Sequence, residues 1–275
     1  MNYKVVLTLH DYFIACQNGG FFNYKDNKIC QLKPLSCNCI CTNCDSRNYA
    51  FKLYRIVRQF VQKKVVRLND NISNVIVISK FSENILRKSL NRTIKVTKIY
   101  NPIDLDTNKL SIDYKKNTYY LFVGRLSKEK GADIFCKAIS ELNLDGIVVG
   151  DGSEKNFLEK KYPKIKFVGW LESDKVKEYM KQAKALIFPS RWYEGAPLTP
   201  LEILQYGIPC IISEDCAAID YIFNDCNGIS FSIKKDDINQ KILEFENRKE
   251  KIDIDISQFI NNDYIEEILK LYNNI

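Results

Sequence analysis

From residue 117 onward, short apolar runs take turns with helical patterns, and that alternation constrains the chain more than any other feature. Strand-like runs fall at 119–123, 146–149, 165–168, 185–188, 209–212 and 229–231, and helical patterns at 132–142, 154–161, 174–182, 200–206, 218–223 and 237–245. Strand, helix and strand repeated in this way predict a parallel sheet covered by helices on both faces. Right-handed crossovers then make the class α/β, doubly wound and Rossmann-like.

The first half is less regular. It offers strands at 5–9, 75–78 and 96–99, a helix at 82–89, and a long basic helix from about 49 to 68. A Cys-rich loop runs between the first strand and the basic helix. The first strand would lie at an exposed edge unless something pairs with it. The polar stretch from Asn101 to Asn117 reads as a linker. The expected divisions are 1–103, a thin N-terminal domain; 104–253, a Rossmann-like domain; and 254–275, a C-terminal helix.

Charge separates the same halves. Residues 1–116 hold 20 Lys and Arg against 8 Asp and Glu, whereas the remainder holds 21 against 26. A basic half suits an anionic partner such as phosphate, nucleic acid or lipid; a solvated surface explains it equally. No run approaches the length of a membrane span, and Met1–Tyr12 has no signal-peptide pattern, so a cytoplasmic protein is expected. Ten cysteines in a chain of 275 residues that can build its own core point to reduced thiols or a metal site rather than to disulfide staples. Cys41-Thr-Asn-Cys44 has the spacing of zinc ligands, and Cys30, Cys37, Cys41 and Cys44 are the candidate set for a structural zinc; free thiols in a loop are the other reading. In the basic helix, Phe51, Tyr54, Val61 and Val65 share a face with cations around them. Such a helix can rest on an anionic membrane or pack its apolar side on the N-terminal sheet.

The chemistry concentrates in Arg191-Trp-Tyr-Glu194-Gly-Ala-Pro197-Leu-Thr-Pro-Leu-Glu202, just after the strand at 185–188. The first carboxylate lies in a Gly/Pro loop and the second on the following helix. Backbone N–H groups and a helix N-terminus beside Glu194 suit a diphosphate or sugar hydroxyls, and a carboxylate such as Glu202 accepts from vicinal hydroxyls. This segment resembles the E-x7-E signature of retaining glycosyltransferases of family 4, which have the GT-B fold: two Rossmann-like domains facing across a cleft. Other segments occur in that family's order. They are Phe122-Val-Gly124-Arg125-Leu-Ser-Lys128-Glu-Lys130-Gly131, Gly150-Asp-Gly152, Phe167-Val-Gly169-Trp170-Leu171, Gly207-Ile-Pro209-Cys-Ile-Ile-Ser213 and Asn227-Gly228.

The resemblance implies roles. Arg125 and Lys130 would clamp the diphosphate, Glu194 would hold sugar hydroxyls, and Glu202 the ribose. Backbone N–H groups among Gly195, Ala196, Leu198 and Thr199 would complete the phosphate site, while Pro197 has none to give. Gly124, Gly150, Gly169 and Trp170 would line the donor pocket. His10, the single histidine, ends the first strand where α/β enzymes bind ligands, and would position donor or acceptor. No cofactor is required by such chemistry. The implied activity is transfer of a hexose, with retention, from a nucleotide diphosphate sugar to a glycan or lipid-linked saccharide. The implied setting is surface polysaccharide synthesis, at the inner face of the cytoplasmic membrane, with no nucleic acid partner. The chain departs from the family in two places. Its N-terminal domain looks truncated, as if it began at the fourth strand, so an upstream polypeptide is a candidate partner. Ala217-Ala218 and Asp220 also stand where the family more often has Gly-Gly and Glu. A nucleotide-sugar-binding subunit without catalysis and a GT-B epimerase are the alternatives.

Overall fold

The computed structural model describes residues 4–103, 112–223, 226–259 and 264–274. Residues 104–111 of the expected linker lie outside the described residues, and its last part forms the 3-10 turn Tyr114–Lys116 with Tyr114 buried. By contact density the chain forms two compact units. One holds Met1–Pro102, Trp192–Ala196 and Phe259–Ile275, and the other Ile103–Arg191 and Pro197–Gln258.

The first unit is built on a three-stranded parallel sheet. Its strands are β1 (Val6–Leu9), β4 (Asn74–Val77) and β5 (Lys95–Lys98), in the order β1-β4-β5, with β1 at an edge. The central strand β4 is buried along its whole length, and successive residues serve opposite faces. Val75 and Val77 join Leu9, Tyr12 and Leu86 in one core. Ile76 joins Ile99 and Leu271 in the other. A fully buried valine of this kind contributes about 1.5–3 kcal/mol relative to exposure.

Between β1 and β4 the Cys-rich stretch holds more structure than the expected loop. A short antiparallel hairpin pairs β2 (Phe22–Asn23) with β3 (Lys28–Ile29), turned by Asn27 at φ 51°. Helix α1 (Cys37–Cys41) is capped by Ser36, whose hydroxyl accepts from the Cys39 N–H at 3.2 Å. Helix α2 (Tyr49–Phe60) starts where the Asn48 side chain accepts from the N–H groups of Ala50 and Phe51. It continues as a π-helical stretch, Val61–Val65, and stops at Arg67, whose φ of 49° breaks the helix before the short α3 (Leu68–Asn71). The single helix expected at 49–68 is therefore interrupted by a left-handed residue. Helix α4 (Lys80–Leu86) follows β4, capped by Ser79.

The reading of α2 as a helix that packs its apolar side inward is also corrected. Its buried residues are Lys52 and Gln59. The Lys52 ammonium donates to the carbonyls of Cys39 and Thr42, satisfying the last turn of α1. The Gln59 amide donates to Ala15 O at 3.0 Å. Arg55 pairs at 2.7 Å with Asp45, whose side chain is fully buried. Polar groups face inward, and each of these three meets a partner there, as burial requires.

The second unit follows the alternation closely. Six parallel strands, β6 (Tyr119–Val123), β7 (Gly146–Val149), β8 (Lys166–Gly169), β9 (Ala183–Phe188), β10 (Cys210–Ser213) and β11 (Gly228–Phe231), lie in the order β11-β10-β9-β6-β7-β8. The helices are α5 (Ala132–Glu141), α6 (Lys155–Lys161), α7 (Ser173–Lys181), α8 (Leu198–Leu204) and α9 (Ile238–Glu246). The expected helix at 218–223 is instead a buried 3-10 turn, Ala217–Tyr221. The inner strands β7 and β10 are buried at every position, the near-continuous apolar run of a sheet covered on both faces. The strand order reverses between β6 and β9. The last helix, α10 (Tyr264–Asn273), belongs to the first unit, where Leu271 enters the core beside Ile76; residues 260–263 of the expected C-terminal helix lie outside the described residues.

Candidate functional site

In the second unit the loops leaving β6, β7 and β8 are laced together at the carboxyl edge of the sheet. The Gly124 N–H donates to Val149 O at 3.0 Å, Gly150 N–H to Gly169 O at 2.8 Å, and Leu126 N–H to Asp151 O at 2.9 Å. Gly150 has φ +139°, and a Cβ there would run into the Gly124 carbonyl. Only a glycine lets these two backbones lie so close. Gly124, Gly150 and Gly169 thus come together beside the point where the strand order reverses, which is where open α/β sheets bind ligands.

The loop after β6 carries Arg125 and Lys130. Arg125 is largely exposed, yet its guanidinium is held: Nη2 donates to Glu129 Oε1 at 2.7 Å and Nε to Ser127 Oγ at 3.3 Å. Glu129 is buried. The loop itself is pinned from β9. Arg191 makes a two-pronged pair with Asp133 at 2.5 and 2.7 Å, donates to Lys128 O at 3.0 Å, and its N–H donates to Glu129 O at 2.8 Å. Bidentate pairing of this kind fixes geometry as well as charge. Lys130 closes the 3-10 turn Lys128–Lys130 before Gly131, whose φ of 73° starts α5. None of Glu129, Asp133 and Arg191 was given a role from the sequence. The signal was there, an acid between two lysines and an arginine opening the signature, but only burial separates such residues from surface charge.

Glu202 is the fifth residue of α8 and is half-buried. Burial pushes its carboxyl above the ordinary range, against the pull of Lys177 on the adjoining α7. Trp170, expected to line the pocket, is 71% exposed at the end of β8. Leu198 and Thr199 open α8, with Pro197 at its cap.

Glu194, by contrast, belongs to the first unit with the rest of Trp192–Ala196. Tyr193 packs its ring against Tyr12, Phe21 and Phe81 at centroid distances of 6.1, 5.7 and 5.3 Å. The Tyr12 hydroxyl donates to Glu194 O at 3.2 Å. The Gly195 carbonyl accepts from Ser79 at 2.6 Å and Ser82 at 3.0 Å, both buried at the start of α4. A Cβ on Gly195 would come within 2.9 Å of His10 O, so the loop lies directly on the residue that ends β1. The backbone of Glu194 is thereby fixed on the strand ends that present the exposed His10. Tyr12, Ser79 and Ser82 were also missed, because partners more than a hundred residues apart leave no local pattern.

The four thiols expected to share a zinc are differently placed. Cys37 and Cys41 are exposed, Cys30 is half-buried and Cys44 is buried. Among the described residues no three His, Cys, Asp or Glu side chains stand close enough to hold a metal ion. Burial pushes the Cys44 thiol up, and that of neighbouring Cys16 to about 11.

The family model of the glycosyl transferases group 1 matches residues 106–262. The chain belongs to this family. It is 29% identical over 187 residues to an uncharacterized glycosyltransferase of Methanocaldococcus jannaschii, covering 66% of this chain and 51% of that one. It is also 29% identical over 174 residues to the UDP-Gal:alpha-D-GlcNAc-diphosphoundecaprenol alpha-1,3-galactosyltransferase of Escherichia coli, covering 54% and 44%. The chain thus spans about half the length of such relatives. Among solved structures, the lipopolysaccharide outer core galactosyltransferase WaaB in its apo form aligns with TM-score 0.66 at 21% identity, over 82% of this chain and 72% of that one. The Anabaena protein HepE in complex with UDP aligns with TM-score 0.64 at 17% identity, over 99% and 72%. The fold is GT-B, two Rossmann-like units each built on a parallel sheet.

Proposed function

We propose that the chain transfers a hexose from a nucleotide diphosphate sugar to a glycan or lipid-linked saccharide with retention of anomeric configuration, in surface polysaccharide synthesis. The observation that carries this reading is the loop after β6. Its Arg125 is oriented by the buried Glu129, and its backbone is pinned by Arg191. A loop so braced holds the Arg125 guanidinium in place to meet an anion, and Lys130 is carried on the same loop. The names of relatives that act on diphosphoundecaprenol-linked or lipopolysaccharide acceptors support the acceptor class.

In this reading the sugar C1–O bond to the diphosphate breaks while C1 bonds to the acceptor oxygen, and the acceptor proton passes to the departing phosphate oxygen. Arg125 and Lys130 neutralise the charge that develops on that phosphate. Glu194 accepts from sugar hydroxyls, Glu202 from the ribose, and His10 orients the reacting groups. The backbone N–H groups from Gly195 to Thr199, Pro197 excepted, add to the phosphate site. No step requires a metal or organic cofactor.

Calorimetric titration with UDP, GDP and ADP tests the reading. One of the three binds, and Lys130→Ala weakens it by about tenfold or more, as loss of a charge-assisted contact implies. A folded chain that binds none of them refutes the donor site. Binding without transfer to any saccharide acceptor would leave a nucleotide-binding subunit instead.

A further inference from the structure

Helix α2 carries its apolar residues on the outside. Leu53, Tyr54, Val57, Phe60, Val61 and Val65 recur at helical spacing and are between 40% and 69% exposed, while Lys52 and Gln59 on the opposite side are buried. An ordinary surface helix has the reverse arrangement. No Asp or Glu occurs between Asp45 and Asp70, a stretch that holds seven Lys and Arg. Of these, Arg47, Lys64 and Arg67 are exposed around the apolar stripe.

Along the first turns of the helix runs an open groove of about 530 Å³, lined by Arg47, Phe51, Tyr54, Arg55 and Arg58. Arg47 lies over the Phe51 ring at 3.5 Å and Arg58 over Phe13 at 4.6 Å. Two guanidinium nitrogens of Arg58, Nε and Nη2, are buried and meet no acceptor among the described residues. Such donors call for an anionic oxygen.

We propose that this outer face of α2 docks on an anionic phospholipid surface. Leu53, Tyr54, Val57, Phe60 and Val61 enter the boundary between headgroups and acyl chains, and the surrounding cations meet lipid phosphates, one of them at the Arg58 groove. Two features select lipid over a second copy of the chain or another protein. The charges flanking it have one sign, so two copies meeting here would repel. Aromatic and aliphatic residues interleaved with Arg and Lys match both layers of an anionic interface. Among the described residues no helix is long and apolar enough to cross a membrane, so α2 would lie in the interface plane.

The test is sedimentation of the full chain with vesicles of phosphatidylcholine mixed with phosphatidylglycerol, and with phosphatidylcholine alone. The chain is expected to partition onto the anionic vesicles about tenfold or more in preference to the neutral ones, and added salt removes most of that preference. The double substitution Val57→Asp with Phe60→Asp, both at exposed positions, abolishes binding while circular dichroism stays unchanged. Lys64→Gln lowers it about fivefold, the effect of one surface cation. A wild-type chain that stays in solution with both vesicle types overturns the proposal. So does a concentration-dependent dimer, seen by sedimentation without lipid, that Val57→Asp dissolves. The inference stands apart from the nucleotide reading: UDP titration of the same variants reports on the other unit, so either can fail alone.

Discussion

The two units solve burial in opposite ways. The second fills the middle of its sheet with apolar strands, buried at every position in β7 and β10. The first covers part of its core with a helix whose inward groups are an ammonium, an amide and an arginine paired to a buried aspartate. In one unit apolar pattern and burial coincide; in the other the apolar stripe of α2 points to solvent. The difference teaches that a hydrophobic stripe marks a helix without stating which side is inside.

Substitutions can break or sharpen that contrast. The largest effect is expected at Gly150→Ala, where a Cβ meets the Gly124 carbonyl at a positive φ. Urea denaturation should show a loss of about 3 kcal/mol or more, and the lacing of the three strand-end loops should go with it. Next comes Lys52→Ala in the first unit, which strips two carbonyls of their donor and leaves a cavity. A loss of about 2–4 kcal/mol is expected by the same measurement. Two exposed positions on the same helix supply the control. Leu53→Ala and Val57→Ala should each change stability by no more than about 0.5 kcal/mol, because those side chains are already in water. If the leucine proved costlier than the lysine, the inverted orientation of α2 would be wrong.

If the proposed donor site holds, Glu129→Gln should weaken binding of the nucleotide that the titration identifies by about tenfold, through loss of the group that orients Arg125. The smallest effect is a pH dependence at Glu202. Its folded carboxyl holds its proton to higher pH than the unfolded chain does, because of burial. The folded state is therefore favoured on the acidic side and loses that margin as pH rises from the unfolded value, about 4.3, to the folded one. In the proposed site Glu202 accepts from the ribose through ionised oxygens, which runs the other way, so nucleotide affinity should climb as pH rises through the same window. A titration series with Glu202→Gln should be flat there.

Much of the second unit was legible. Its strands fall within about two residues of the apolar runs, because a fully buried strand needs a local run of Val, Ile, Leu and Phe. The glycines at 124, 150 and 169 were legible as punctuation after those strands. The hairpin at Phe22–Ile29 was not, since its two-residue strands are too short to show a period. The break at Arg67 was equally hidden: a non-glycine residue at positive φ carries no consistent sequence mark. Glu194 and Glu202 were legible as a pair eight positions apart, yet the chain delivers them to different units.

By itself the sequence determined the strand order along the second unit, the parallel α/β class and the series of glycine-rich strand ends, because each of these is written in residues that are neighbours along the chain. Only the tertiary structure decided that Tyr12, Ser79 and Ser82 hold the backbone of Glu194 and Gly195, that Glu129 is the buried partner of Arg125, and that α2 turns its polar side inward. Those outcomes depend on which distant surface a segment meets, and the energy of a hydrogen bond or a buried charge is set by that surface rather than by the segment's own pattern.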